Sequence, residues 1–145
     1  MKAVVQRTKE VTLTVNGELI SKIPFGLIVY FGVKVGDDFK LANYLASKIT
    51  KLRIFEDENG KMNRSVKDVG GEIMCVSQFT LYGDVSHGNR PSFTSAEVPD
   101  KASLVYDYFC EKLKEEGVVV KKGVFGADMK ILQLSDGPVT IIYDL

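Results

Sequence analysis

The sequence predicts a single α+β domain over residues 1–145, a mainly antiparallel sheet or partly closed barrel with two covering helices. Three observations predict it. The first third alternates apolar and polar residues around a hairpin turn, two segments repeat apolar residues at spacings of three and four, and the remainder returns to short β-like runs. No internal repeat, low-complexity tract or linker divides the chain.

Val4, Val11, Leu13 and Val15 lead into Asn16-Gly17, a dipeptide suited to a two-residue hairpin, and the chain returns through Leu19, Ile20 and Ile23. Pro24 and Gly26 end the hairpin. Leu27 to Val33 is almost continuously apolar and of strand length, the pattern of a central strand buried on both faces. Asp37 or Asp38 then caps a helix whose Leu41, Ala42, Leu45, Ala46, Ile49 and Leu52 form one stripe, expected to lie on the sheet. A short strand near Arg53-Ile54-Phe55, a turn at Glu58-Asn59-Gly60 and a polar loop through Gly70-Gly71 precede the strand Ile73-Met74-Cys75-Val76.

Residues 83–99, with Gly83, Gly88, Pro91 and Pro99 among Asp, Ser, Asn and Arg, read as a long irregular loop of the kind that often carries function. Pro99-Asp100 opens a second helix with Leu104, Val105, Tyr108, Phe109 and Leu113 on its inner face, ended by Gly117. Three closing strands are expected at 118–120, 131–134 and 139–143.

Composition bounds the function. Hydrophobic residues make up 45% and charged residues 26%, as in an ordinary globular protein that buries roughly 70% of its unfolded surface. Lys plus Arg and Asp plus Glu are 19 each, so no global field gathers polyanions and any RNA contact has to be local. The N-terminus lacks the apolar core of a signal peptide and no apolar run approaches a membrane span, which makes the cytoplasm the expected location, with no membrane partner. Cys75 and Cys110 have no close Cys or His neighbours and read as packed thiols; no metal and no cofactor are expected.

Candidate chemistry concentrates in two places. Ser77-Gln78-Phe79-Thr80-Leu81-Tyr82-Gly83 sets three hydroxyls and an amide where a strand runs into a turn, and Ser135-Asp136-Gly137-Pro138-Val139-Thr140 sets a Gly-Pro step between two apolar runs. A Ser or Thr nucleophile needs a base within hydrogen-bond reach. The one histidine, His87, stands in a polar loop, and Asp84, Asp128 and Asp136 each occupy turn-like positions. With poor bases, catalysis falls to positioning and to backbone N–H groups around Phe79 and Thr80, which suits an activated ester better than an amide. The plainer reading makes 77–83 a strand with Phe79 and Leu81 in the core, and Gly137-Pro138 a turn. Phe125-Gly126-Ala127-Asp128-Met129 is a tight connection or a pocket wall; Arg90, Lys121, Lys122 and Lys130 are local phosphate contacts or solvated cations.

On these residues the chain resembles the D-aminoacyl-tRNA deacylase family from end to end. The resemblance is carried by Met1 to Arg7, Leu52 to Asp57, Gly60 to Asn63, Ser77 to Thr80, Arg90 to Phe93, Phe125 to Met129 and Gly137 to Thr140. Ser135 departs from it, since the family usually has Asn there. The resemblance implies a homodimer with active sites at the subunit interface, acting on the ester of D-amino acids, and of glycine mischarged on tRNA(Ala). It implies that Ser77, Gln78, Phe79 and Thr80 form the catalytic site for the aminoacyl group and terminal adenosine, with Arg7, Met129, Gly137 and Pro138 on the substrate-binding side.

In this family a cis Gly137-Pro138 step would enter the partner's pocket, capture the α-amino group with its carbonyls and exclude an L side chain. Water attack assisted by the ribose 2′-hydroxyl fits the absence of a base. Two other readings are a related editing deacylase with a trans Gly-Pro step, open to a small L-amino acid, and a dimeric RNA-binding or adaptor domain without activity.

Overall fold

A computed structural model describes residues Met1–Leu145. Its first strand organises the rest. β1 (Lys2–Val15) and β2 (Glu18–Ile23) form the expected hairpin, with Asn16 and Gly17 both at positive φ as the two-residue turn requires. β3 (Gly26–Gly32) pairs antiparallel with the first half of β1, on the edge where β2 takes the second half. The other edge of β1 is occupied along its length by the last strand, β8 (Met129–Asp144). Between β3 and the chain's end come α1 (Phe39–Thr50), the two-stranded ribbon β4 (Phe55–Glu56) and β5 (Met62–Arg64), β6 (Glu72–Ser77), α2 (Pro99–Glu115) and β7 (Val120–Lys122).

β6 lies parallel to β3, and β7 parallel to β6, so two parallel pairings extend a sheet whose three other pairings, all made by β1, are antiparallel as expected. Parallel neighbours need long crossovers, which the ribbon and the two helices supply. The path β2-β1-β3-β6-β7 curls until the Ser21 hydroxyl of β2 donates to the Lys122 carbonyl of β7 at 2.6 Å, nearly closing a barrel. Two cores result. Val11, Leu13, Ile23, Ile28, Met74 and Val76 fill the barrel interior. The outer face of β3 and β6, with Leu27, Val29, Phe31, Ile73 and Cys75, packs under both helices. β3 is therefore buried on both faces, as its apolar run requires. Phe31 stacks on Phe109 of α2 at 4.1 Å between ring centroids.

Of the two candidate caps, Asp38 caps α1, its carboxylate accepting from Leu41 N–H at 2.8 Å, while Asp37 pairs with the Met1 α-ammonium at 2.9 Å. α2 opens on Pro99 as expected, but its buried face is Val105, Tyr106, Phe109, Cys110 and Leu113. Leu104 points to solvent and Tyr108 is half-buried, so the stripe is rotated by one residue from the sequence reading. Tyr106 replaces them because its hydroxyl finds a buried acceptor, the Cys75 carbonyl at 2.8 Å. Cys75 and Cys110 are both core residues, and burial raises the Cys75 thiol far above its ordinary value.

The two last predicted strands are one. β8 runs unbroken from Met129 to Asp144 by pairing with β1 on both sides of the Gly-Pro step. The first predicted closing strand is shifted as well, to Val120–Lys122.

Candidate active site

β6 ends at Ser77, where the chain turns into a 3-10 turn, Phe79–Tyr82. The continuation of the strand through Phe79 and Leu81 does not occur: Phe79 is 57% exposed. The Gln78 N–H still bonds the Phe31 carbonyl at 2.8 Å, which fixes the last ladder position. The first backbone bond of the turn runs from Leu81 N–H to the Gln78 carbonyl at 3.4 Å, so the N–H groups of Phe79 and Thr80 have no acceptor within it. The Thr80 hydroxyl receives the Gln78 side-chain amide.

This strand end opens into a cleft of about 640 Å³, mostly apolar, bounded by Ser77, Gln78 and Phe79, by the loop residues Phe93, Ala96 and Glu97, by the start of α2, and by the segment Phe125 to Met129. Tyr106 and Phe31 form its floor. Phe93 meets Phe79 edge to face at 5.0 Å. The Glu97 carboxylate is held below its ordinary value by the Lys101 ammonium at 2.8 Å and by the Val98 N–H. It also accepts from Gly36 N–H at 3.3 Å, tying the start of α2 to the loop before α1. Asp128, on the opposite wall, pairs with Lys130 at 2.9 Å. No carboxylate or imidazole is hydrogen-bonded to Ser77 or Thr80, and no cluster of three metal-ligating side chains exists.

Of the eight residues singled out in the sequence, Ser77, Gln78, Phe79 and Met129 line this cleft; Thr80, Arg7, Gly137 and Pro138 do not. The last three form a second constellation, where β8 departs from β1. Gln6 pairs with Thr140 and Thr8 with Ser135, so the four residues Asp136 to Val139 stand opposite Arg7 alone and bulge outward. Arg7 lies beneath them, 8% exposed. Its Nη1 donates to the Ile54 carbonyl at 2.8 Å, and its Nε faces the Asp136 carbonyl at 3.4 Å and carboxylate at 3.1 Å. The Gly137-Pro138 peptide is cis and both residues are exposed. Gly137 has φ +125°, and a Cβ there would sit 2.7 Å from Val139 atoms, so glycine is required.

Sequence reasoning missed Phe93, Glu97, Ala102 and Tyr106 as cleft residues, since nothing in a loop or helix pattern says which side chains face a distant strand end. Asp136, read as a turn residue and a poor base, pairs with Arg7 at the root of the bulge.

A profile described as D-Tyr-tRNA(Tyr) deacylase matches residues 4–144. The chain belongs to this family. A D-aminoacyl-tRNA deacylase of Bacillus cereus (strain AH187) is 50% identical over 144 residues, 99% of each chain, and one of Bacillus cytotoxicus is 49% identical over the same share. Among solved structures, one titled c-Myc DNA Unwinding Element Binding Protein superposes with a TM-score of 0.95 at 43% identity, covering 100% of this chain and 99% of that one. A probable eukaryotic D-amino acid tRNA deacylase, 19% identical, matches the fold with a TM-score of 0.82 over 99% and 98% of the two chains. Membership in the deacylase family classes the chain as a hydrolase of D-aminoacyl-tRNA esters.

Proposed function

We propose that this chain releases D-amino acids, and glycine carried by tRNA(Ala), from the 3′ end of mischarged tRNA, as a homodimer in which each subunit completes the other's pocket. The observation that carries this reading is the split of the candidate residues into a cleft at the end of β6 and an exposed bulge at Asp136 to Val139 that does not reach it. A pocket made of both needs two copies. Exposed apolar residues of β8 support the pairing: Leu132 is 76% exposed, and Leu134 next to it on the strand and Ile142 beyond the bulge are also open to solvent.

The terminal adenosine and ester then occupy the cleft, and the Phe79 and Thr80 N–H groups receive the charge that develops on the carbonyl oxygen. With no side-chain base at hand, the ribose 2′-hydroxyl organises the attacking water. The partner's bulge, with glycine and proline presenting backbone and little side chain, takes the α-amino group on its carbonyls and leaves no room for an L side chain; glycine has none to exclude. A cytoplasmic location goes with this reading, because that is where charged tRNA is used.

Hydrolysis of D-tyrosyl-tRNA, glycyl-tRNA(Ala) and L-alanyl-tRNA by the purified protein tests it. The first two esters are cleaved and the third is slower by about 100-fold or more, the size of discrimination that steric exclusion supplies. Comparable rates on L-alanyl-tRNA would replace this reading with that of an L-specific editing enzyme, and no hydrolysis at all with that of an RNA-binding domain.

A further inference from the structure

We propose that Arg90 grips a backbone phosphate of the RNA strand within a nucleotide or two of the scissile ester, and so positions the acceptor end. This rests on the deacylase reading and extends that same site to the remainder of its polynucleotide.

Arg90 sits in a loop whose root is closed by two backbone bonds, Asp84 N–H to the Ser92 carbonyl at 2.8 Å and Ser92 N–H to the Asp84 carbonyl at 2.9 Å. That root is packed against the cleft: Phe93 lies on Phe79, and a Cβ on Gly83 would meet the Phe93 ring at 3.1 Å and Pro91 at 3.6 Å. Arg90 is three residues before Phe93, so its Cα is within about 11 Å of it. Pro91 restricts the Arg90 backbone to extended conformations, which narrows the directions its side chain can take.

The charge pattern is selective. Arg7, Arg53 and Arg64 are each engaged, with Asp136, the Asn63 carbonyl and Glu58 respectively, whereas Arg90 is exposed and has neither an ion pair nor a hydrogen bond. The loop beyond its root, residues 85–91, contains no acid. The Asp84 carboxylate at the root is occupied by Ser86 N–H at 2.9 Å, and the cleft's Glu97 and Asp128 are paired with lysines. A chain with no net charge has to hold a polyanion through such local cations, and the planar guanidinium fork matches phosphate geometry.

The test compares D-tyrosyl-tRNA with 3′-O-D-tyrosyl-adenosine, which has the ester but no phosphate, for wild type, Arg90→Ala and Arg90→Lys over graded KCl. Arg90→Ala should raise KM for the tRNA about tenfold with kcat unchanged, as expected for loss of one charge-assisted hydrogen bond. It should also flatten the log KM against log salt slope by about 0.7, one phosphate contact on a single strand. It should leave the adenosine ester untouched. Arg90→Lys should keep the salt slope and recover part of KM. An unchanged KM for the tRNA, or an equal loss on both substrates, would overturn the assignment, the latter because the loop would then be shaping the cleft. If wild type cleaves neither ester, it is the deacylase reading that fails. Anisotropy with labelled uncharged tRNA then decides the contact, equal affinity of wild type and Arg90→Ala refuting it.

Discussion

Arg7 is nearly buried, yet its guanidinium is held by the Ile54 carbonyl on one side and by the backbone carbonyl and one carboxylate oxygen of Asp136 on the other. It is thus a strut between the ribbon-bearing segment and the bulge of β8. Arg7→Ala would leave the Ile54 carbonyl without its donor and Asp136 without its counter-charge, at a cost of about 2–3 kcal/mol. Urea denaturation should register that loss, and Arg7→Lys should recover only part of it, because one ammonium cannot span both partners. Thr80 offers the contrasting case. Its hydroxyl is taken by the Gln78 amide and faces no base, so Thr80→Ala should lower kcat by less than about tenfold, well under the loss expected for a nucleophile. Turnover abolished with binding intact, or an acyl-enzyme trapped by rapid quench, would make Thr80 the nucleophile instead.

At the scale of elements, the site depends on how α2 begins. Glu97 joins Val98 N–H, Gly36 N–H and Lys101, fixing one wall of the cleft to the loop before α1. Because the folded carboxyl binds its proton more weakly than the unfolded one, its contribution is fully present above the ordinary value of 4.5 and is lost as pH falls through the lower folded value. Glu97→Gln should therefore melt at a lower temperature than wild type at neutral pH, and the gap should close in acid. Thermal melts between neutral pH and about pH 3 check this, and a gap that stays constant would remove Glu97 from the acid response. The parallel join of β3 to β6 is equally exacting. Gly26, the first residue of β3 and the partner of Glu72, has φ +138°, and a Cβ there would lie 1.9 Å from the Glu72 carbonyl oxygen, so only glycine lets the two strand starts approach this closely.

At the scale of the molecule, β8 lays Met129 and Ile131 on the barrel-interior core and Val139, Ile141 and Tyr143 on the core under the helices, and leaves Leu132, Leu134 and Ile142 exposed. Burying such side chains against a second copy contributes about 25 cal/mol per Å² of apolar area, which exposure forfeits. Leu132→Glu should shift the protein from dimer to monomer in sedimentation velocity and abolish hydrolysis with it, while the far-UV spectrum stays unchanged. A fully active monomer would mean that the cleft works without a partner's bulge.

Local chemistry was legible in the sequence. The Asn16-Gly17 hairpin, the doubly buried run after Pro24, the α1 stripe with a cap at Asp37 or Asp38 and Pro99 at the start of α2 depend on neighbours a few residues away, where pattern and propensity act directly. Ser77 to Thr80 and Gly137-Pro138, and the family resemblance they help to carry, were legible in the same local way. What only the tertiary structure decided is where those segments lie. Phe79 leaves the strand because the ladder ends at Phe31, α2 rotates because Tyr106 needs the Cys75 carbonyl, and two short runs become one strand because β1 supports both. Each of these follows from a partner distant in sequence, and so does the separation of the Gly137-Pro138 bulge from the cleft in its own chain.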